Sequence, residues 1–130
     1  MHSYFSDLLG KTLSSIDFMG NSPCTSVGAE EIRFTTSEGE IYQLMHDQDC
    51  CESVSVEDVT GDVNDLLGTP ITLAEESTNN DVFFYKEGAY VDESFTWTFY
   101  KLATVKGYVD IRWLGTSNGY YSEGVSFYKL

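Results

Sequence analysis

The segment that decides the fold is residues 94–128, SFTWTFYKLATVKGYVDIRWLGTSNGYYSEGVSFY. Apolar or aromatic side chains alternate with polar ones in three runs, and a period of two is the pattern of extended chain. Residues 105–107 and 116–119 separate the runs, and the adjacent Asn118 and Gly119 favour the positive φ angles of a tight hairpin turn. The segment therefore predicts a three-stranded antiparallel meander.

One face of this meander is predicted to belong to the core. The side chains assigned to that face are Phe95, Trp97, Phe99, Val109, Ile111, Trp113, Tyr121, Val125 and Phe127. The opposite face is polar and aromatic, so it is either a solvated sheet face or a recognition surface. It carries Thr96, Thr98, Tyr100, Tyr108, Asp110, Arg112, Ser122 and Tyr128.

The rest of the chain predicts further strands and two short helices. The helices are expected at residues 4–9 and 62–68, each ended by a glycine, Gly10 or Gly68, and each followed by four strands. We interpret residues 4–59 and 62–128 as two copies of one unit. The predicted fold is a single α+β domain over residues 1–130, mostly antiparallel β, with about eight strands in a sandwich or barrel-like core.

The formal net charge of −14 limits the classes of partner. Neither Lys nor Arg occurs between Arg33 and Lys86. Direct binding to nucleic acid or to an anionic membrane is not expected, because both depend on basic side chains. A solubility role, a cation site and a surface for a basic protein remain open. The acidic residues assigned to partner contact are Glu38, Glu40, Asp47, Asp49, Glu52, Glu57, Asp58, Asp62, Asp65, Glu75 and Glu76.

The cysteines and the first residues predict a reduced, cytoplasmic setting. Cys24, Cys50 and Cys51 cannot all pair within one chain, and adjacent cysteines rarely bond to each other. Residues 1–7 have neither the basic start nor the apolar run of a signal peptide.

Residues 46–52, HDQDCCE, concentrate side chains that bind metal ions. Zinc or another divalent cation is an alternative there, with His46, Asp49, Cys50, Cys51 and Glu52 as the candidate ligands. The block lacks the paired Cys-x-x-Cys knuckles of a zinc site and the central glycine of a calcium loop, so no cofactor is predicted. Phosphate-binding loops and nucleophile elbows are also missing, and the chain is not expected to be an enzyme.

Arg112 suggests a second alternative, a small-ligand site. Its neutral interpretation is a cross-strand pair with an acid. Its functional interpretation is an anion clamp for a nucleotide signal, built with Tyr100, Tyr108, Tyr120 and Tyr128.

Residues 46–54, HDQDCCESV, together with residues 97–100, WTFY, and 117–122, SNGYYS, resemble an uncharacterised small domain family of tailed-phage and bacterial genomes. The resemblance spans residues 9–127 and implies no settled activity, so it carries over no catalytic residue. It implies a setting: small acidic phage proteins are often inhibitors of host defence. The expectation is a non-enzymatic, phage-encoded protein in the host cytoplasm that binds a basic host protein, in its sharpest form by nucleic-acid mimicry of the anti-CRISPR kind. The oligomeric state is not predicted.

Overall fold

The computed structural model describes residues 3–20, 28–47, 52–79, 94–117 and 123–130. Within these residues eight strands form two four-stranded sheets, and every strand pair is antiparallel. The predicted class, mostly antiparallel β, is confirmed. The strands are β1 (Leu13–Met19), β2 (Glu31–Thr36), β3 (Ile41–Met45), β4 (Ser53–Thr60), β5 (Leu73–Asn79), β6 (Ser94–Thr104), β7 (Gly107–Ser117) and β8 (Ser126–Lys129).

Each half of the chain gives its last strand to the other half's sheet. The first sheet has the order β1-β2-β3-β8 and the second has the order β4-β7-β6-β5. The predicted three-stranded meander is therefore wrong in its third strand, because β8 pairs with β3 while β4 lies beside β7. Residues 118–125 separate β7 from β8, which frees the chain from a tight hairpin and lets it cross between sheets. The predicted Asn118 and Gly119 turn lies outside the described residues.

A matched pair of backbone hydrogen bonds joins the two halves. The Gly10 N–H donates to the Ile71 carbonyl at 2.8 Å, and the Gly68 N–H donates to the Leu13 carbonyl at 3.0 Å. Ile71 lies three residues after Gly68, and Leu13 lies three residues after Gly10. The two bonds therefore join equivalent positions of the two halves. Such reciprocity is what a two-fold relation between the halves would produce, and that relation, the origin of the halves by duplication and the single-domain organisation all stay predictions.

The two predicted helices are corrected to short 3-10 helices, Phe5–Leu8 and Val63–Leu66. Gly10 and Gly68 have φ angles of 80° and 83°, which end each helix before an α-helical hydrogen-bond ladder can develop. Asp62 is the N-cap of the second helix, since its Oδ1 accepts from the Asn64 N–H at 2.9 Å.

One apolar cluster takes members from both sheets, as in a sandwich. The Phe5 ring, from the first 3-10 helix, lies 5.3 Å from the Phe127 ring of the first sheet and 4.7 Å from the Tyr100 ring of the second sheet. The described strands do not close into a barrel, because each sheet ends in two edge strands.

The predicted faces of β6 are reversed in the structure. Tyr100 pairs across the sheet with Ile111, and Thr98 pairs with Trp113, so these residues share the inner face. Trp97 lies on the outer face, where Arg112 is 5.1 Å from its ring. The turn at residues 105–106 pairs Thr104 with Gly107 and so fixes the register of the β6–β7 hairpin. This register determines which residues of each strand face inward.

Candidate functional site

Two pairs of polar side chains lie near the ends of β3 and β7, namely His46 with Glu52 and Thr96 with Glu123, and we call them together the interior polar cluster. His46 follows β3 directly and Glu52 immediately precedes β4, and their side chains are only 4% and 0% exposed. The Nε2 atom of His46 lies 2.7 Å from Oε2 of Glu52. Its Nδ1 atom lies 2.6 Å from the Gly124 carbonyl oxygen. The Thr96 hydroxyl donates to Oε1 of Glu123 at 2.9 Å.

The two contacts of His46 determine how many protons the buried His46 and Glu52 side chains hold between them. A carbonyl oxygen can only accept, so Nδ1 carries a proton that it donates to Gly124. Nε2 and the Glu52 carboxylate then share one further proton, either as imidazolium with carboxylate or as imidazole with carboxylic acid. Both forms leave the pair with no net charge, which is the condition under which such groups can be buried.

Gly115 makes room for the second carboxylate of the cluster. A Cβ atom at position 115 would lie 2.5 Å from the Glu123 carbonyl oxygen and 2.8 Å from its Cβ. Because these are backbone-fixed atoms, a glycine here lets the chain before β8 pass close over β7.

The metal alternative is only partly inside the described structure. Asp49, Cys50 and Cys51 lie outside the described residues, while His46 and Glu52 contact each other. Both ring nitrogens of His46 are engaged, so a metal ion could reach this side chain only if one contact opened. Among the described residues no group of three or more His, Cys, Asp and Glu side chains could hold a metal ion. Metal binding remains a hypothesis.

The predicted acidic surface is largely found at the surface, with one correction. Exposed members are Glu38, Asp47, Asp58, Asp62, Glu75 and Glu76, and half-buried members are Glu40, Glu57 and Asp65. Glu52 is not a surface residue, because its partner His46 holds it inside the sandwich. Asp49 lies outside the described residues.

Most basic side chains on this surface are already engaged by the protein's own acids. Glu40 lies 2.8 Å from the Lys11 ammonium and 2.7 Å from that of Lys129, and the hydrogen bonds from Lys11 and then Lys129 lower the pKa of Glu40. Arg33 pairs with Glu31 at 2.6 Å. The Lys106 ammonium donates to the Leu67 carbonyl at 2.9 Å.

Arg112 lies in an acidic setting of its own. Its guanidinium is 3.8 Å from Glu57 and 3.9 Å from Asp58, and both acids belong to the neighbouring edge strand β4. Tyr108 shares this sheet and is about half exposed, and burial followed by the Asp110 charge raises the pKa of Tyr108. This is the cross-strand acid pairing of the neutral interpretation.

The other tyrosines of the ligand alternative do not join Arg112. Tyr100 is fully buried on the inner face of β6. Tyr128 lies on β8 in the first sheet, where its hydroxyl donates to Asp47. Tyr120 lies outside the described residues. The prediction placed Tyr100 and Tyr128 with Arg112 because it reversed the faces of β6 and kept β8 in the same sheet as β7.

Two of the cavities in the described structure are similar in size. One of about 340 Å³ is beside the interior polar cluster and is lined by Met19, Gly20, Glu30, Glu31, Met45, His46 and Val54. The other, of about 350 Å³, lies between the edge strands β5 and β8, and we call it the edge cavity. Its lining residues are Ser3, Tyr4, Phe5, Ser6, Ala74, Glu76, Val125 and Phe127. The edge cavity was not predicted from the sequence. A signal was present, because Glu76 lies two residues after the buried Ala74 in β5 and therefore on the same side of that strand.

The comparison with protein families places the chain. The model of a domain of unknown function, DUF7448, matches residues 6–127. The chain belongs to the DUF7448 family. This match confirms that the chain belongs to an uncharacterised small domain family, while the phage origin and the motifs at residues 46–54 and 117–122 of this DUF7448 protein stay predictions. No curated protein and no solved structure matches it significantly. In the part of the DUF7448 chain that the structure describes, no helix is long and apolar enough to cross a membrane.

Proposed function

We propose that this protein is a non-enzymatic binding protein whose exposed carboxylates contact a partner with a basic surface. The observation that supports it is that four basic side chains pair with the protein's own acids, while several exposed carboxylates have no basic partner nearby in the described structure. Lys11, Arg33, Arg112 and Lys129 are held in ion pairs with the protein's own acids. Other exposed carboxylates have no Lys or Arg within 4 Å among the described residues, namely Asp17, Glu38, Asp62, Glu75 and Glu76.

The uncompensated carboxylates favour a basic partner for an electrostatic reason. Opposite charge steers two proteins together and selects against acidic competitors, while the same surface repels phosphate groups. Direct binding of nucleic acid would need free basic side chains, and four of those described are neutralised at the surface.

The non-enzymatic part of the proposal rests on the interior polar cluster. Its His46 has one ring nitrogen on a backbone carbonyl and the other on Glu52, so it offers no free base to a substrate in this arrangement. Shared burial of the pair favours a structural role in fixing the end of β3 against the start of β4.

A narrower form of the proposal names the partner as a host defence component. It follows from the sequence resemblance and from the acidic surface, which would occupy a basic groove in place of nucleic acid. In this form the protein acts as a stoichiometric inhibitor in the host cytoplasm.

The test is affinity capture on the full-length protein at two salt concentrations. We expect captured protein to be basic and to elute as the concentration rises from about 0.1 M to about 1 M, because the screening length falls from about 10 Å to about 3 Å. Replacing Glu38 and Glu75 together by Gln should weaken capture, whereas the uncharged control Ser53→Ala, at an exposed position in β4, should not. Capture that ignores both salt and the two charges would contradict the proposal.

A further inference from the structure

The edge cavity combines an aromatic wall with a single carboxylate. Phe5 and Phe127 line it with their rings 5.3 Å apart, together with Val125 and Ala74. Among the described residues that line the cavity, Glu76 is the one charged side chain. At about 350 Å³ the cavity is near the small end of ligand sites, which are roughly 300 to 1,000 Å³.

The register of β5 turns Glu76 toward this cavity. Glu76 pairs across the sheet with Tyr100, and Ala74 pairs with Leu102, so all four residues share the inner face of the second sheet. Glu75 pairs with Lys101 and lies on the outer face. Two adjacent and equally exposed carboxylates therefore point to opposite sides of one strand.

Tyr100 lies next to Glu76 on the inner face of the second sheet. Its side chain is fully buried, its ring lies 4.7 Å from that of Phe5, and within the described chain Glu76 is the acceptor near its hydroxyl. Burial and then the nearby Glu76 charge raise the pKa of Tyr100, so the hydroxyl stays protonated. Its O–H group can therefore donate to Glu76 and help to hold that carboxylate in place.

A cation suits this arrangement and an anion does not. The carboxylate of Glu76 compensates a positive charge, and aromatic rings attract cations through their π faces. The apolar lining favours a cation carried on a methylene chain, since such a chain buries its stem while its head stays polar.

We propose that the edge cavity binds the ammonium group of an amine, and that a basic partner fills it with a lysine side chain. Glu76 then pairs with the ammonium, and Phe5 and Phe127 pack on the methylene stem, while the buried Tyr100 supports the Glu76 carboxylate from the inner face of the sheet. The inference depends on the proposed function only for the source of the amine, because the cavity itself belongs to this chain.

The test is an NMR titration of the full-length protein with Nα-acetyl-lysine methylamide, using Nα-acetyl-norleucine methylamide as the uncharged isostere. We expect the amide signals of Ala74, Val125 and Phe127 to shift with the lysine probe, and the norleucine probe to bind about tenfold more weakly. Glu76→Gln should weaken the lysine probe about tenfold, whereas the matched variant Glu75→Gln should change it less than about twofold.

Equal affinity for the two probes, or equal effects of the two variants, would overturn the inference and leave Glu76 as a charge that only protects an edge strand. Loss of probe binding with salt-sensitive capture intact would overturn this inference and leave the proposed function standing. Probe binding without a salt-sensitive partner would support the cavity and refute the proposed function.

Discussion

Removing the Glu52 carboxylate tests the interior polar cluster most directly. The substitution Glu52→Leu keeps an apolar side chain of comparable size but leaves Nε2 of His46 without its partner at 2.7 Å. Because the two side chains are 4% and 0% exposed, water cannot readily replace the lost contact.

The expected cost follows from that burial. Removing one partner costs about 3 to 5 kcal/mol if the buried pair is ionic and about 1 to 3 kcal/mol if it is neutral, whereas an exposed pair contributes about 0 to 1 kcal/mol. At about 1.5 kcal/mol per molar urea, a loss of about 3 kcal/mol lowers the unfolding midpoint by about 2 M. The control Lys11→Met, which removes a part-exposed partner of Glu40, should lower it by less than about 0.7 M.

Urea unfolding followed by the fluorescence of the two buried tryptophans, Trp97 and Trp113, measures both changes. The double variant His46→Leu with Glu52→Leu completes a thermodynamic cycle and should be less destabilised than the two single variants added together. A cost for Glu52→Leu no larger than that of Lys11→Met, or simple additivity in the cycle, would refute the account of a coupled buried pair.

Two further outcomes are expected. Gly115→Ala should destabilise the fold by about 1 to 3 kcal/mol in urea unfolding, because the added Cβ would lie 2.5 Å from the Glu123 carbonyl oxygen; an unchanged midpoint would contradict the close approach. Replacing Lys11 and Lys129 together by Met should return the pKa of Glu40 toward its ordinary value in an NMR titration, since their hydrogen bonds lower it. A lowered folded-state pKa stabilises the protein above the unfolded-state value and loses that effect as the pH falls through the folded-state value. The stability difference between this variant and the native chain should therefore be present at neutral pH and vanish in acid, and a difference that persists in acid would argue against this ion-pair account.

Local alternation was sufficient to locate most strands of this protein. The predicted hairpin at residues 32–36 and 40–46 is β2 and β3, and the strand at residues 53–59 is β4. In β6, however, both sides carry large rings, so alternation alone did not decide which side faces inward. The two-residue turn before Gly107 could have decided it, because that turn sets which residues of β6 and β7 are neighbours.

The candidate sites depended more on topology than on residue type. His46 and Glu52 were selected as metal ligands by their chemistry, but their mutual contact requires the chain to pass from the end of β3 in one sheet to the start of β4 in the other. Glu76 was grouped with Glu75 because both belong to the acidic segment between Arg33 and Lys86 that has neither Lys nor Arg. Only the partner residues across the sheet distinguish the two.

The exchange of last strands affects how the protein is made. During synthesis the first sheet lacks its fourth strand until residues 126–129 have emerged from the ribosome, so β3 keeps an unprotected edge for most of translation. Pairing Met45 with Ser126 also closes a very long loop, which is typical of slowly folding β topologies. A chain cut short before β8 would therefore present β3 to any other unpaired strand nearby, and aggregation of such fragments is the expected result.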